Sequence, residues 1–362
     1  MRLNKTLSSI VASSFLAMSL SGCFGFMVKG GNYKPPSLRP PEVENYYSYT
    51  RGEIKYETTK TEDTEKYTVS CIKFKSSMHT TEKNDTVIVD YYDAKFDGKT
   101  PLIILSPILG GSNGESKIFA KYFANRCFSC AIVHRPEDRF PNAKDFSGDN
   151  QNELGESYAE SLENILKQSI IDTRRAIDLF ETFPDIDSEK IGSFGISMGG
   201  IKNSILAGVE PRLKVNIFVM AGADMEYILT HSKEEKVIEE VQNISKLIEK
   251  EKFFEDLKKN SVSDPKNFAQ YIDDSNTLMY ISLFDTVVPV KSQEKLRDLI
   301  GHPSTSYLLS GHYSAIIYIL PPWNYIQSTS YNFFKDRFDK IKLRRTSENL
   351  RVCFENSASD SH

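Results

Sequence analysis

The sequence has little of what marks several large protein classes. Its five cysteines are too few and too scattered to form a disulfide framework in a chain of 362 residues. Its six histidines include no pair at metal-ligand spacing, so His79, His231 and His302 read as surface or capping residues. The stretch "LGGSNG" lacks the Lys-Ser/Thr ending of a phosphate-binding loop and the spacing of a dinucleotide fingerprint, so no cofactor is implied. Charges of both signs are interspersed, with a net charge of -4, which argues against a nucleic-acid partner. There is no internal repeat. No apolar run reaches the roughly 20 residues needed to cross a bilayer as a helix.

What is present begins with composition: 40% hydrophobic and 11% aromatic residues in a chain long enough for a sizeable core. Arg2 and Lys5 precede an apolar and Ser-rich stretch from Leu7 to Leu20, the pattern of a secretory signal. It ends in Leu20-Ser21-Gly22-Cys23, which resembles the lipobox of bacterial lipoproteins. The resemblance implies removal of residues 1–22, diacylation and N-acylation of Cys23, and residence in a bacterial cell envelope as a lipid-anchored membrane protein. Several acyl chains would anchor the protein stably where one binds only marginally. Loss of Arg2 and Lys5 would take the side-chain charge from -4 to -6. Phe24, standing where an aspartate often signals inner-membrane retention, leans toward the outer membrane. An ordinary signal peptide with an incidental cysteine is the alternative.

Residues 23–45 hold Gly30-Gly31, Pro35-Pro36 and Pro40-Pro41, as a flexible tether would. From Tyr46 to about Asp97 the alternating "KYTVSCIKFKS" and "DTVIVDYYDAKF" predict antiparallel or edge strands. The continuous apolar runs "PLIILSP" and "CAIVHR" predict buried parallel strands, with a helix near 115–126 between them. In Cys127-Phe128-Ser129-Cys130, the two cysteines read as small residues at a helix end and a strand start. A long helix is expected over 154–183, then the strand "KIGSFG", a helix from Met198 and the strand "VNIFVMAGA" over 215–223. The alternation resumes at "TLMYISLF" (277–284), followed by a helix at 290–300, the strand "TSYLLS" (305–310) and a last helix from near Ser314. This order predicts an α/β fold with a mostly parallel central sheet flanked by helices. Between 225 and 275, Val237, Val241, Ile244, Leu247 and Ile248 recur at helical spacing in a charged segment, read as a helical cap insertion. The domain would span 46–338, leaving 339–362 as a polar tail.

The segment "KIGSFGISMGG" carries the chemistry. Ser197 falls on a strand-to-helix turn, and so sharp a turn needs residues without bulk on either side; Gly195 and Gly199 meet that need. Asp285 then follows the strand 277–284, and His312 follows the strand 305–310. With Ser, Asp and His in this order, the chain from about 95 to 335 resembles the α/β-hydrolase superfamily of serine hydrolases, in which nucleophile, acid and histidine follow the fifth, seventh and eighth strands. The resemblance implies an α/β-hydrolase fold and a catalytic triad, with Ser197 as nucleophile, His312 as base and Asp285 orienting it. It also implies an oxyanion hole from the Met198 N–H and a second N–H in the loop after "PLIILSP", at Leu109 or, one residue on, Gly110. Pro107-Ile108 stands where the family often has His-Gly.

Asp224 also follows a strand and is the alternative acid, while His134 at a strand end reads as structural or substrate-facing. The expected reaction is hydrolysis of a small-molecule ester or other acyl substrate through an acyl-enzyme, with carboxylesterase ahead of peptidase, thioesterase or lipase. A binding or structural lipoprotein that keeps the fold without turnover is the alternative, and Pro107-Ile108 is its support.

Overall fold

The structure, a computed structural model, describes residues 25–31, 33, 35–80, 82–108, 113–136, 141 and 151–341. The strands are β1 (Gly25–Val28), β2 (Tyr56–Asp63), β3 (Tyr67–Lys75), β4 (Thr86–Ala94), β5 (Thr100–Ser106), β6 (Ser129–His134), β7 (Ile186–Ile196), β8 (Leu213–Val219), β9 (Thr277–Ser282) and β10 (Ser304–Leu308). They form one sheet in the order β1-β10-β9-β8-β7-β5-β6-β4-β3-β2. From β10 to β6 every pairing is parallel, and β1, β4, β3 and β2 add antiparallel strands at the two ends.

The helices are α1 (Pro41–Tyr46), α2 (Gly114–Ala124), α3 (Gln151–Phe180), α4 (Met198–Val209), α5 (Met225–His231), α6 (Glu235–Ser245), α7 (Lys250–Asn260), α8 (Val290–Ile300) and α9 (325–341). The parallel strands are apolar on both faces because helices cover both. In β5, Leu102 and Ile104 face the core shared with α3, α4 and α8, whereas Ile103 and Leu105 face the core built by α2 and α9. Met279 and its neighbours Leu278 and Tyr280 divide β9 in the same way. The polar "YETTKTED" of β2 is exposed, as suits a sheet edge.

Several expectations change in the folded chain. Part of the tether is docked: β1 pairs with β10, Arg39 Nε donates to the Gly208 carbonyl at 2.6 Å, and Ser37 N donates to the Gln270 carbonyl at 2.9 Å. A Pro-rich stretch makes few internal hydrogen bonds, so these outside acceptors are what hold it. The last helix does not run from Ser314; a short turn at Ser314–Tyr318 is followed by Pro321-Pro322, and the regular helix begins at 325. Consecutive prolines remove N–H donors and interrupt a helix there. At the far end α9 runs to residue 341 with Phe334 and Phe338 buried, past the expected start of the tail at 339. The remainder of that tail, residues 342–362, lies outside the described residues, as do residues 1–24 with Cys23.

Arg212 ties α3 to the turn before β8. Its guanidinium donates to Glu210 at 2.7 and 2.8 Å, to Asp178 at 2.6 Å and to Glu181 at 2.6 Å. Burial pushes the Glu210 carboxyl up, but the hydrogen bonds and charge of Arg212 outweigh it and hold the group below its ordinary value of 4.5. A depressed folded-state pKa contributes stability that is present above the unfolded value and lost as pH falls through the folded one. Arg212→Met should therefore lower unfolding stability at pH 7 by about 1–3 kcal/mol, since it leaves Arg174, with Nε 3.1 Å from Oε2, to hold the buried Glu210 carboxylate without its main partner. Urea melts at pH 7 and pH 4 check this: the deficit should shrink at the lower pH as Glu210 protonates in the variant.

Candidate active site

Between β5 and β7 the strand order reverses: the chain steps from β5 to β6 on one side and then returns to β7 on the other. In open parallel sheets the crevice beyond the carboxyl ends of the strands at such a point is where ligands bind. Ser197 sits there, directly after β7, and is the N-cap of α4 with φ 54 and ψ -124. A non-glycine residue at positive φ is strained, and here the turn compels it by joining a buried strand to a buried helix with one residue between.

The flanking glycines follow from the same crowding. A Cβ on Gly195 would lie 2.7 Å from the Gly200 nitrogen, and one on Gly199 would lie 3.0 Å from the Ser106 carbonyl carbon at the end of β5. These neighbours are backbone and cannot swing aside. Gly199→Ala should accordingly destabilise the protein by about 1–3 kcal/mol despite the better helix propensity of alanine. Chemical denaturation measures that loss.

Asp285 and His312 lie on the loops after β9 and β10, which are adjacent parallel strands. His312 Nδ1 is 2.8 Å from Asp285 Oδ2, and the carboxylate is fully buried while the imidazole remains slightly open. Three further donors converge on the same carboxylate: the Val287 and Val288 N–H groups on Oδ1 at 2.9 and 3.0 Å, and Gln293 Nε2 on Oδ2 at 3.0 Å. Gln293, buried on α8, also donates to the Val288 carbonyl at 2.7 Å. It was not foreseen from sequence; its only signal there is a polar residue in the first turn of a helix after an acid loop. With Nδ1 of His312 committed to Asp285, Nε2 is the ring nitrogen left without that partner.

The alternative acid, Asp224, is held elsewhere. Its carboxylate meets Lys295 and lies 3.5 Å from Lys266 Nζ, and its backbone N–H donates to Asp264 at 2.9 Å. Burial pushes its carboxyl up, but the Lys295 hydrogen bond and the Lys266 charge hold it below the ordinary carboxylate range. His134 is set against Asp90 of β4 at 3.8 Å, with Lys117 on the same carboxylate at 3.3 Å. His79 pairs with Asp85 at 2.7 Å, and His302 Nδ1 lies 2.9 Å from an Arg297 nitrogen. Among the described residues no group of His, Cys, Asp and Glu could hold a metal ion.

Met198 opens α4, where the first backbone N–H groups have no partner inside the helix and point toward the crevice with the positive end of the helix dipole. Leu109 and Gly110, named for the second oxyanion donor, lie outside the described residues. The side chain of Met198 packs against a separate apolar cluster formed by α3, α6 and α7, including Tyr158, Leu162, Ile244, Phe253 and Leu257. Two polar links continue that rim: Lys233 N donates to the Thr286 carbonyl at 2.7 Å, and Tyr313 Oη donates to Glu234. Residues 225–260 thus border the Ser197 turn, the Asp285 loop and the His312 loop.

A parallel sheet in this order, with its polar loops gathered at one edge, is the α/β-hydrolase fold. Residues 155–295 match the family model described as acetyl xylan esterase (AXE1); the matched segment includes Ser197 and Asp285 and ends before His312. A comparison with curated proteins finds no significant match. Among solved structures, the chain is similar to an acetyl xylan esterase from a Paenibacillus species, with 16% identity, TM-score 0.61, 82% of this chain and 92% of that one covered. It is also similar to acetyl xylan esterase 1 from a Thermoanaerobacterium species, with 17% identity, TM-score 0.63, 86% of this chain and 96% of that one covered. A methylesterase shares the fold at 16% identity and TM-score 0.51, over 83% of this chain and 62% of that one.

Proposed function

We propose that the protein hydrolyses carboxylic esters through a Ser197–His312–Asp285 triad and an acyl-enzyme intermediate. The observation that carries this reading is the buried Asp285–His312 pair on the loops after β9 and β10, at the same edge of the sheet as the strained Ser197 turn. A serine hydroxyl is a weak nucleophile at neutral pH and needs a base to take its proton. His312 Nε2 takes that proton as Ser197 Oγ attacks the ester carbonyl, and Asp285 stabilises the imidazolium. The Met198 N–H, with Leu109 or Gly110 as second donor, holds the tetrahedral oxyanion. Collapse of that intermediate expels the alcohol, protonated by His312, and water then repeats the sequence on the acyl-serine.

The comparison proteins named as acetyl xylan esterases make short acyl groups on a sugar hydroxyl the first substrate class to assay. We further propose that the chain is a lipoprotein of a bacterial envelope, anchored through acyl groups on Cys23. Among the described residues no helix is long and apolar enough to cross a membrane.

Fluorophosphonate labelling of the chain beside its Ser197→Ala variant is the direct test, because the reagent reports an activated serine. Labelling that vanishes in the variant supports the triad. A folded wild-type protein that does not label overturns it.

A further inference from the structure

We propose that the surface formed by Phe284 and residues 309–323 docks on a lipid bilayer, holding the mouth of the site against the membrane. Phe284, Leu309, Ile316, Ile317, Leu320 and Trp323 are 38–65% exposed. They belong to one folded surface: Phe284 N donates to the Ser310 carbonyl at 2.9 Å, Leu309 N to Tyr318 Oη at 3.2 Å, Leu320 N to the Ile316 carbonyl at 3.0 Å, and Trp323 N to the Leu320 carbonyl at 3.2 Å. His312 lies within the same segment. Exposed apolar side chains gathered on one hydrogen-bonded segment mark an interaction site.

Charge identifies the occupant. Within the segment from Leu299 to Phe334 there is no Asp, Glu, Lys or Arg, in a chain of which 26% is charged, and the charge that meets it is Glu234, held by Tyr313 Oη on the side of the cap. A surface that meets water or a polar partner normally carries a charged rim, whereas charge next to hydrocarbon is costly, and Trp and Tyr are favoured at the headgroup level.

The direction of the chain supplies the second argument. β1 runs antiparallel to β10, with Gly25 opposite Leu308 and Val28 opposite Thr305. The chain therefore enters β1 at the end of the sheet where Leu309 and His312 lie. Cys23 precedes Gly25 by two residues, so covalent geometry keeps its Cα within about 7 Å of that of Gly25. A lipid on Cys23 would leave the protein beside the apolar surface, and with β1 paired to the sheet there is little slack to let the body drift from the membrane. The orientation rests on the Cys23 reading above, and its consequence for substrate access rests on the ester-hydrolase reading.

Trp323 is the sole tryptophan of the chain and stands on this surface, so it reports docking without added labels. The full chain would be reconstituted from detergent into phosphatidylethanolamine–phosphatidylglycerol vesicles, with ordinary or acyl-brominated lipid, beside an Ile316→Glu/Ile317→Glu double variant. The expected result is blue-shifted emission that brominated lipid quenches in the wild type, with both effects lost in the variant while it still floats with the vesicles. Emission open to aqueous acrylamide and untouched by brominated lipid would overturn the proposal. So would quenching that persists unchanged in the double variant, or burial of Trp323 by self-association at rising protein concentration without vesicles. Fluorophosphonate labelling in detergent keeps the two readings apart: both proteins should label equally, and a wild type that docks without labelling would sink the hydrolase reading and leave the docking surface standing.

Discussion

Ser197→Ala is expected to lower ester turnover by roughly a millionfold, the scale found when a triad nucleophile is removed. The loss should appear in kcat with KM little changed, because the hydroxyl forms its decisive bond only as the transition state is approached. The fold should survive. Alanine can occupy the backbone conformation of Ser197 at about the cost serine already bears, and the side-chain oxygen makes no N-cap hydrogen bond. Unchanged circular dichroism and an unchanged melting midpoint would confirm that only chemistry was removed. A loss of a few-fold would show that another residue attacks the substrate and would refute the assignment.

Asp285→Asn should cost about ten-thousandfold in kcat, the scale seen when a triad aspartate loses its charge. The Asp285 carboxylate is met by four donors: Val287 N, Val288 N, Gln293 Nε2 and His312 Nδ1. Only an acceptor-only group satisfies all of them. An amide nitrogen there would face two of them, either the Val287 and Val288 N–H groups or Gln293 and His312, and in the second case the imidazole is driven to the tautomer whose Nε2 carries a proton and cannot act as base. Asp224→Asn should leave turnover within about a few-fold, since Lys295 and Lys266 hold that carboxylate and exposed or half-exposed ion pairs contribute little. Parallel kinetics on the two variants decide the acid; a larger loss at Asp224 would reverse the choice.

Much of this site is readable in one dimension because its requirements are local. A serine forced to positive φ between a strand and a helix needs glycine at fixed offsets, and Gly195 and Gly199 stand there because backbone would otherwise collide with a Cβ. Parallel strands buried on both faces need uninterrupted apolar runs, which is why "PLIILSP" and "TLMYISLF" predict β5 and β9 closely. The strand expected over 215–223 ends in the structure at Val219, while Met220 to Ala223 stay apolar after the ladder has ended. A tether was expected wherever Pro and Gly gathered, and β1 shows the limit of that rule, because four residues suffice to cap a sheet edge.

The α/β alternation, the glycine-flanked Ser197 turn and the Ser-Asp-His order are legible without coordinates, because they rest on local stereochemistry, hydrophobic patterning and position along the chain. Partner choice is not local. Asp224 and Asp285 both follow strands, and their surroundings differ because His312 and, from α8, Gln293 meet Asp285 while Lys295, two residues on along the same helix, meets Asp224. The same holds for the antiparallel seating of β1, which sets the end of the sheet from which the amino-terminal chain emerges. Long-range packing settles such matters, since each depends on surfaces that meet only after the whole sheet has formed.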